Sequence, residues 1–379
     1  MKILFVETVS EMGGAQQSLL ELCTALPAFG AEIAAAVPHG PLHDALRAAG
    51  VHVYETTPIR ARRRGPGLLA TLLKLAYAPY PISKAIDDFA PDIVHANTTA
   101  AALAVRKVPR KTLLFSHIRD LRLPPLVVQA TVKRCTRVIA ISTIFDTYLG
   151  KIIPPSTRGR IRIIRNGIDT TRFTPGDRAA ARNRFSLPSD APVIGMIAHL
   201  TPWKAHDTFI AAAAKIRATH PDAHFAIVGR NLFGEHAGWA RQLHAQAAAA
   251  GLANTLHWIH DLNHTEAILP AFDILIHPAR NEPFGRVICE AMAMRVPVIA
   301  ARSGGPLDII TANVNGLFVE EDDPDAIAQN AARLLDNPLE AKKLADAGHA
   351  HILKHFTKER LAQQLAQEYA RAIAAERGT

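Results

Sequence analysis

Cysteine is scarce in this sequence. Three thiols in 379 residues, Cys23, Cys135 and Cys289, are odd in number and far apart. They make neither a disulfide framework nor a zinc-binding spacing, which fits a reducing compartment. Aromatic residues are few as well, at 6%, so the core has to be built from Ala, Leu, Ile and Val. No stretch approaches the ~18 uninterrupted apolar residues of a membrane-spanning helix. The opening MKILFVETVS lacks a long apolar region and a small-residue cleavage site, so it reads as a strand rather than a secretory signal. What is present is a globular balance: 49% hydrophobic against 20% charged residues, which excludes disorder as the default.

Acidic residues are short in one half only. Residues 1–176 carry 23 Lys and Arg against 12 Asp and Glu, a net +11, and the remainder carries 20 against 22, a net −2. The whole basic excess behind the formal +9 therefore lies in the first half. This asymmetry points to two units facing different partners, one of them anionic.

Short apolar runs alternate with Ala- and Leu-rich helical stretches along the chain. KILFVE (2–7), AEIAAAVP (31–38), VHVYET (51–56), DIVHAN (92–97), TLLFSH (112–117), RVIAIS (137–142) and IRIIRN (161–166) read as strands in the first half. PVIGMIAHL (192–200), HFAIVGR (224–230), TLHWIH (255–260), ILIHPA (274–279) and PVIAAR (297–302) do so in the second. Several are apolar without alternation, as strands covered on both faces of a parallel sheet must be. The expected class is α/β, with two doubly wound, Rossmann-like parallel-sheet domains. The polar, Pro- and Arg-rich stretch 171–192 separates the halves and places the boundary near residue 176. The expected parts are residues 1–176, residues 177–356, and an amphipathic helix within 357–379 that packs back toward the first domain. Such sheets bind ligands at the carboxyl ends of their strands.

The segment NEPFGRVICEAMAMRVPVIAARSGG (281–305) carries the strongest chemistry. Glu282 follows the strand ILIHPA, and Glu290 lies eight positions later, in the following helix. Helical rise would separate them by roughly 12 Å. That exceeds the roughly 5 to 9.5 Å between the paired carboxylates of a glycoside hydrolase. It is close to the span between the two sugar rings of a nucleotide-sugar, and carboxylates accept hydrogen bonds from vicinal hydroxyls. Amides around Phe284, Gly285 and Arg286 open the helix and suit an oxygen-rich ligand.

This segment, with its E-P-F-G-R-V-x-x-E core followed by P-V-I-A and a Gly-Gly pair, closely resembles the signature of family 4 glycosyltransferases. MGGAQQSLLEL (12–22), IRNGIDTTRFTP (164–175) and IGMIAHLTPWKAHD (194–207) extend the resemblance over nearly the full chain. The resemblance implies a GT-B fold, two Rossmann-like domains facing across a cleft. It also implies hexose transfer from a UDP- or GDP-linked sugar with retention of configuration, and no metal or other cofactor. The implied catalytic groups are Glu282, His117 and Lys204. Lys204 would neutralise the leaving diphosphate, which needs a cation where no metal serves. His117, at the end of the strand TLLFSH, would lie near the reacting sugar. Gly13, Gly14, His199, Pro283, Phe284, Gly285, Arg286, Glu290, Gly304 and Gly305 complete the implied donor site.

Two positions depart from the family pattern. His199 stands where an arginine is usual, so either its ring supplies a hydrogen bond or another cation, Arg286 or Arg230, compensates. Ala205 stands where a glycine is usual. Gly13 and Gly14 are not part of a G-x-G-x-x-G, and no acid ends the second strand, which argues against a dehydrogenase. The tract RARRRGPG (60–67) precedes an apolar, basic stretch. Arg60, Arg62, Arg63 and Arg64, with Arg119, are expected to face an anionic membrane or a lipid-linked acceptor. No nucleic-acid motif accompanies the pI of about 9.6. The expected partners are thus a nucleotide-sugar, a polysaccharide, glycolipid or lipid-linked acceptor, and the inner face of the cytoplasmic membrane. A nucleotide-sugar 2-epimerase and a non-catalytic sugar-nucleotide-binding subunit are the alternatives.

Overall fold

A computed structural model of the chain describes residues 1–59, 79–231, 237–260 and 264–378. They form two compact units: Met1–Gly167 together with Lys358–Thr379, and Ile168–Thr357. The first unit is a seven-stranded sheet of β1 (Lys2–Val6), β2 (Glu32–Pro38), β3 (His52–Thr56), β4 (Ile93–Ala96), β5 (Leu113–Ile118), β6 (Arg137–Ala140) and β7 (Ile161–Ile163). Its order is β3-β2-β1-β4-β5-β6-β7, and every pairing is parallel. The second unit is a six-stranded sheet of β8 (Val193–Ile197), β9 (His224–Val228), β10 (Leu256–Ile259), β11 (Ile274–His277), β12 (Val298–Ala301) and β13 (Leu317–Val319). Its order, β10-β9-β8-β11-β12-β13, is likewise all parallel.

The unbroken apolar runs follow from helices on both faces. In β1, Ile3, Leu4, Phe5 and Val6 are all fully buried, so no residue faces water and no alternation appears. In both sheets the strand order reverses beside the first strand, between β1 and β4 and between β8 and β11. Connections leave those neighbours in opposite directions, which opens a crevice at their carboxyl ends. The topology alone thus points to the residues following β1, β4, β8 and β11.

All twelve sequence-expected strands form, and β13 is added. The divide lies between Gly167 and Ile168 rather than near 176. The supposed linker is part of the second unit because Arg182 anchors it there. The Arg182 guanidinium is buried and donates to the Ala271 carbonyl (3.1 Å), the Ser189 carbonyl (2.7 Å) and Asp273 (2.7 Å). A buried arginine looks the same as a solvated one in sequence. The linker also contains a helix, Arg178–Arg184, capped by Asp177. Helices also span Pro79–Phe89 and Pro338–His355, and the stretch that leads into β11 forms the short 3-10 turns Thr265–Ala267 and Leu269–Ala271. The last helix, Lys358–Arg377, belongs to the first unit, where Leu361, Leu365 and Tyr369 pack with Leu19, Leu22, Phe5 and Phe115. None of the three buried cysteines forms a disulfide.

Candidate active site at the strand switch points

In the second unit, β8 leads through His199 into a turn, Pro202–Lys204, and β11 leads through Arg280 into the loop that carries Glu282. The two meet. Lys204 Nζ donates to Glu282 Oε2 at 2.6 Å, and His277 Nε2 lies 3.1 Å from the same oxygen. The lysine and glutamate side chains are only 13% and 9% exposed. Burial pushes the Glu282 pKa upward, but the Lys204 ammonium and the His277 hydrogen bond outweigh it and hold the carboxyl well below the usual range. His277 itself is buried and its pKa lowered, mainly by desolvation, so the imidazole is neutral at pH 7. The Lys204 ammonium also sits 4.1 Å from the Trp203 ring centroid.

Arg280, which sequence reasoning passed over, fastens this turn. Its backbone amide donates to the Trp203 carbonyl (2.8 Å) and its guanidinium to the Pro202 carbonyl (2.6 Å), to Asp207 (3.1 Å) and to Asp322 (2.7 Å). Ala205, closing the turn, has φ +57° and is fully buried. That left-handed conformation explains why glycine is usual there. His199 is neutral: burial, reinforced by Lys204 and Arg230, lowers its pKa to about 4. It supplies no positive charge at pH 7.

The helix Arg286–Ala293 follows the loop, so Glu282 lies outside it and the two signature glutamates have different partners. Glu290 accepts from Thr265 Oγ1 (3.1 Å) and from Arg286 Nη2 (3.4 Å). Arg286 is therefore already committed in part to Glu290. The Gly-Gly pair has a packing reason. A Cβ on Gly304 would lie 2.1 Å from the Glu282 carbonyl oxygen, and one on Gly305 would lie 2.2 Å from Phe284 Cα. The amide of Gly305, a residue of the implied donor site, donates to the Glu282 carbonyl at 2.7 Å. Gly304 and Gly305 thus seat the Glu282–Phe284 backbone, and Pro283 and Phe284 run within that seat.

In the first unit the groups at the carboxyl ends of β1, β4 and β5 are Glu7, Asn97, His117 and Arg119. Glu7, missed in the sequence, is 1% exposed and accepts from the Thr8 amide (2.6 Å), Asn97 Nδ2 (2.7 Å) and Gln16 Nε2 (3.3 Å). Burial raises its pKa against those hydrogen bonds and the Arg119 charge. An acid ending an otherwise apolar strand was the available signal. Arg119 turns inward: Nε and Nη2 donate to the Asn97 carbonyl and Oδ1 (both 3.0 Å), and Nη1 to Asn166 Oδ1 (3.1 Å). It organises strand ends rather than forming part of a basic surface. Gly13 caps the helix Gly14–Ala25 from an extended conformation, φ −144°, which any residue adopts. His117 is fully buried and its ring joins His95 at 2.7 Å. Arg60, Arg62, Arg63 and Arg64 lie outside the described residues.

One group among the described residues brings metal-ligand types together. Ligand atoms of His39, His43 and Glu55 lie within 4.8 Å of one another, at the ends of β2 and the helix that follows it and on β3. None of the three belongs to the sequence-predicted site. Also among the described residues, no helix is long and apolar enough to cross a membrane.

Comparison with known proteins matches the family Glycosyltransferase Family 4 to residues 12–172 and the family Glycosyl transferases group 1 to residues 177–351. The D-inositol 3-phosphate glycosyltransferase 2 of Catenulispora acidiphila is 34% identical over 224 residues, 57% of this chain and 51% of that protein. The GDP-mannose-dependent monoacylated alpha-(1-6)-phosphatidylinositol monomannoside mannosyltransferase of Corynebacterium glutamicum is 32% identical over 212 residues, 53% of each. The chain spans about half the length of the curated relatives it matches. Among solved structures, HepE of Anabaena in complex with UDP-glucose aligns with a TM-score of 0.84 at 23% identity, covering 98% of this chain and 100% of that one. The sucrose-phosphate synthase of Thermosynechococcus elongatus aligns at 0.83 and 21% identity, covering 99% of each. At such identities the likeness is one of fold.

Proposed function

Because this chain belongs to the family 4 glycosyltransferases with the GT-B fold, we propose that it transfers a hexose from a nucleotide-diphosphate sugar, with retention of configuration and without a metal. The observation that carries this reading is the buried Lys204–Glu282–His277 cluster at the β8/β11 switch point. A cation fixed at a strand end suits a departing diphosphate. A carboxylate held ionised accepts hydrogen bonds from sugar hydroxyls and is a poor general acid. On this reading Glu282 binds and orients the hexose, Glu290 takes the ribose, and Lys204 shares its charge between Glu282 and the leaving phosphate. His199, being neutral, gives only a hydrogen bond. Substitution proceeds on the front face, and the departing phosphate oxygen takes the proton of the incoming hydroxyl.

The first unit is assigned to the acceptor. It carries 26 Lys and Arg against 14 Asp and Glu, while the second carries 17 against 20. An anionic acceptor or lipid surface complements such a unit. The names of the two curated relatives, with inositol 3-phosphate in one and phosphatidylinositol in the other, support an anionic acceptor. We place the protein peripherally on the inner face of the cytoplasmic membrane. Changing Arg60, Arg62, Arg63 and Arg64 together to Ser is expected to release it from anionic vesicles, and unchanged binding would defeat that placement.

The deciding experiment screens UDP- and GDP-sugars with inositol phosphates and lipid-linked glycans in the presence of EDTA. Release of nucleoside diphosphate that depends on acceptor, with an anomeric product of the donor's configuration, is expected. Isomerised donor without acceptor would identify an epimerase, and binding without release a non-catalytic subunit.

A further inference from the structure

Three buried polar side chains from distant parts of the first unit form a line. Tyr369, in the helix Lys358–Arg377, places its hydroxyl 2.5 Å from His95 Nδ1. His95 Nε2 lies 2.7 Å from His117 Nδ1. All three residues are fully buried. Strand geometry creates the alignment. Phe5, His95 and Phe115 are register partners on β1, β4 and β5, and His117, two residues beyond Phe115, projects to the same face. Tyr369 meets the rings of both His95 and Phe115 edge-on.

Donor and acceptor strengths decide which way the line runs. Burial, aided by the Arg119 charge, lowers the pKa of His95 to about 3 and that of His117 well below its usual value, so both rings are neutral and each carries one proton. Burial raises the Tyr369 pKa well above its usual value, so the phenol keeps its hydrogen. Suppose His117 donated to His95 and His95 to Tyr369. The phenol hydrogen would then have no acceptor, and the His117 Nε2 lone pair no donor. In the opposite sense, Tyr369 donates to His95 Nδ1 and His95 Nε2–H donates to His117 Nδ1. Then the lone pairs of the phenol oxygen and the His117 Nε2–H are left over, and that nitrogen has no hydrogen-bond partner. Both arrangements leave one hydrogen and one acceptor unpaired, but the second joins the stronger donor, the phenol, to the stronger acceptor, an imidazole nitrogen, and leaves bare only the weakly accepting phenol oxygen.

We infer that Tyr369 and His95 are positioning residues that fix His117 as the Nε2–H tautomer, making it a hydrogen-bond donor to an oxygen of an acceptor bound to the first unit rather than a proton-accepting base. The ligand half of this statement rests on the proposed glycosyltransferase reading; the tautomer half does not. The spare N–H is the atom whose missing acceptor an oxygen-rich ligand supplies. The helix Lys358–Arg377 thereby acts on the chemistry of strand β5 through a residue 274 positions before Tyr369.

The test is histidine-selective 15N NMR of the ligand-free full chain. In the intact protein the His117 Nε2 signal is expected at the protonated position and Nδ1 at the bare position. Nδ1–H at His117 would overturn the inference outright. In Tyr369→Phe, which keeps the packed ring, both senses leave two orphans, so His117 is expected to become a mixture of tautomers. A His117 signal unchanged in that variant would remove Tyr369 from the relay. Turnover of Tyr369→Phe is expected to fall roughly tenfold with KM for the donor little changed. Normal turnover despite mixed tautomers would refute the ligand-donor role. If the intact protein shows the Nε2–H tautomer yet transfers no sugar from any donor, the glycosyltransferase reading fails and the tautomer assignment stands.

Discussion

The two units share a topology and differ in how they hold charge. In the second, the switch-point groups are ionised and paired: Lys204 against Glu282, with Arg280 against Asp207 and Asp322 behind them. In the first, burial works against ionisation: it raises the Glu7 pKa, His95 and His117 are uncharged, and Arg119 donates to amide oxygens. Yet the first unit carries the whole formal basic excess. Net charge and site charge are therefore separate properties. Of the groups in that buried network, Arg119 alone is a cation. The near-neutral unit concentrates its ionised groups where a diphosphate is proposed to leave.

The sharpest way to break this contrast is to remove the ionised pair. Glu282→Ala and Lys204→Ala are each expected to lower nucleotide release about 100- to 1000-fold. Each also strands a buried charge, so urea denaturation is expected to show a loss of about 3 kcal/mol. Near-normal turnover in Glu282→Ala would exclude that residue from the reaction.

Acid exploits the neutral histidines next. The folded pKa values of His95 and of His206, buried at the start of the helix His206–Thr219, are lowered to about 3. The unfolded chain takes up their protons near pH 6.5 while the folded chain does not, so stability is complete above that pH and falls as the pH drops toward 3. At pH 5 each such histidine costs about 2 kcal/mol relative to pH 7, and melting curves at the two values will register it. Glu7, whose folded pKa is raised, runs the other way and loses its contribution as pH rises through that value. Glu282, whose folded pKa is depressed, contributes above the ordinary carboxylate range and loses that contribution only in stronger acid.

Glu7→Ala leaves the Asn97, Gln16 and Thr8 donors without their acceptor and is expected to cost about 2 kcal/mol in the same denaturation assay. If turnover fell more than stability, Glu7 would belong to the chemistry of the first unit as well as to its framework. The smallest effect is expected from Ala205→Gly, which relieves a left-handed alanine and raises stability by about 1 kcal/mol. A destabilised variant would show that the turn is held by its methyl packing instead.

Much of the fold was legible because it depends on local pattern. A strand buried on both faces must be apolar throughout, as β1 is, and several of the twelve expected strands announced themselves in that way. The helix Pro338–His355 escaped because its surface is dominated by polar residues, with Leu344, Ala345, Gly348 and Ile352 alone fully buried. Arg182 escaped because a polar residue in a polar stretch gives no sign of burial. At the site, the glutamate signature and Lys204 stood out, whereas Glu7, His95, His277, Arg280 and Tyr369 did not.

The sequence by itself determined the alternation of strands and helices, the parallel class, the charge asymmetry and the family to which the chain belongs, since each is carried by neighbours or short motifs. Only the tertiary structure decided which of those residues are ionised and which way their protons point. Lys204 and Glu282 are 78 residues apart, and His95 and Tyr369 are 274 apart. Their protonation depends on burial and on partners that exist only once the sheets have formed. A charge in water and the same charge 2.6 Å from its counterion inside a protein are different chemical groups.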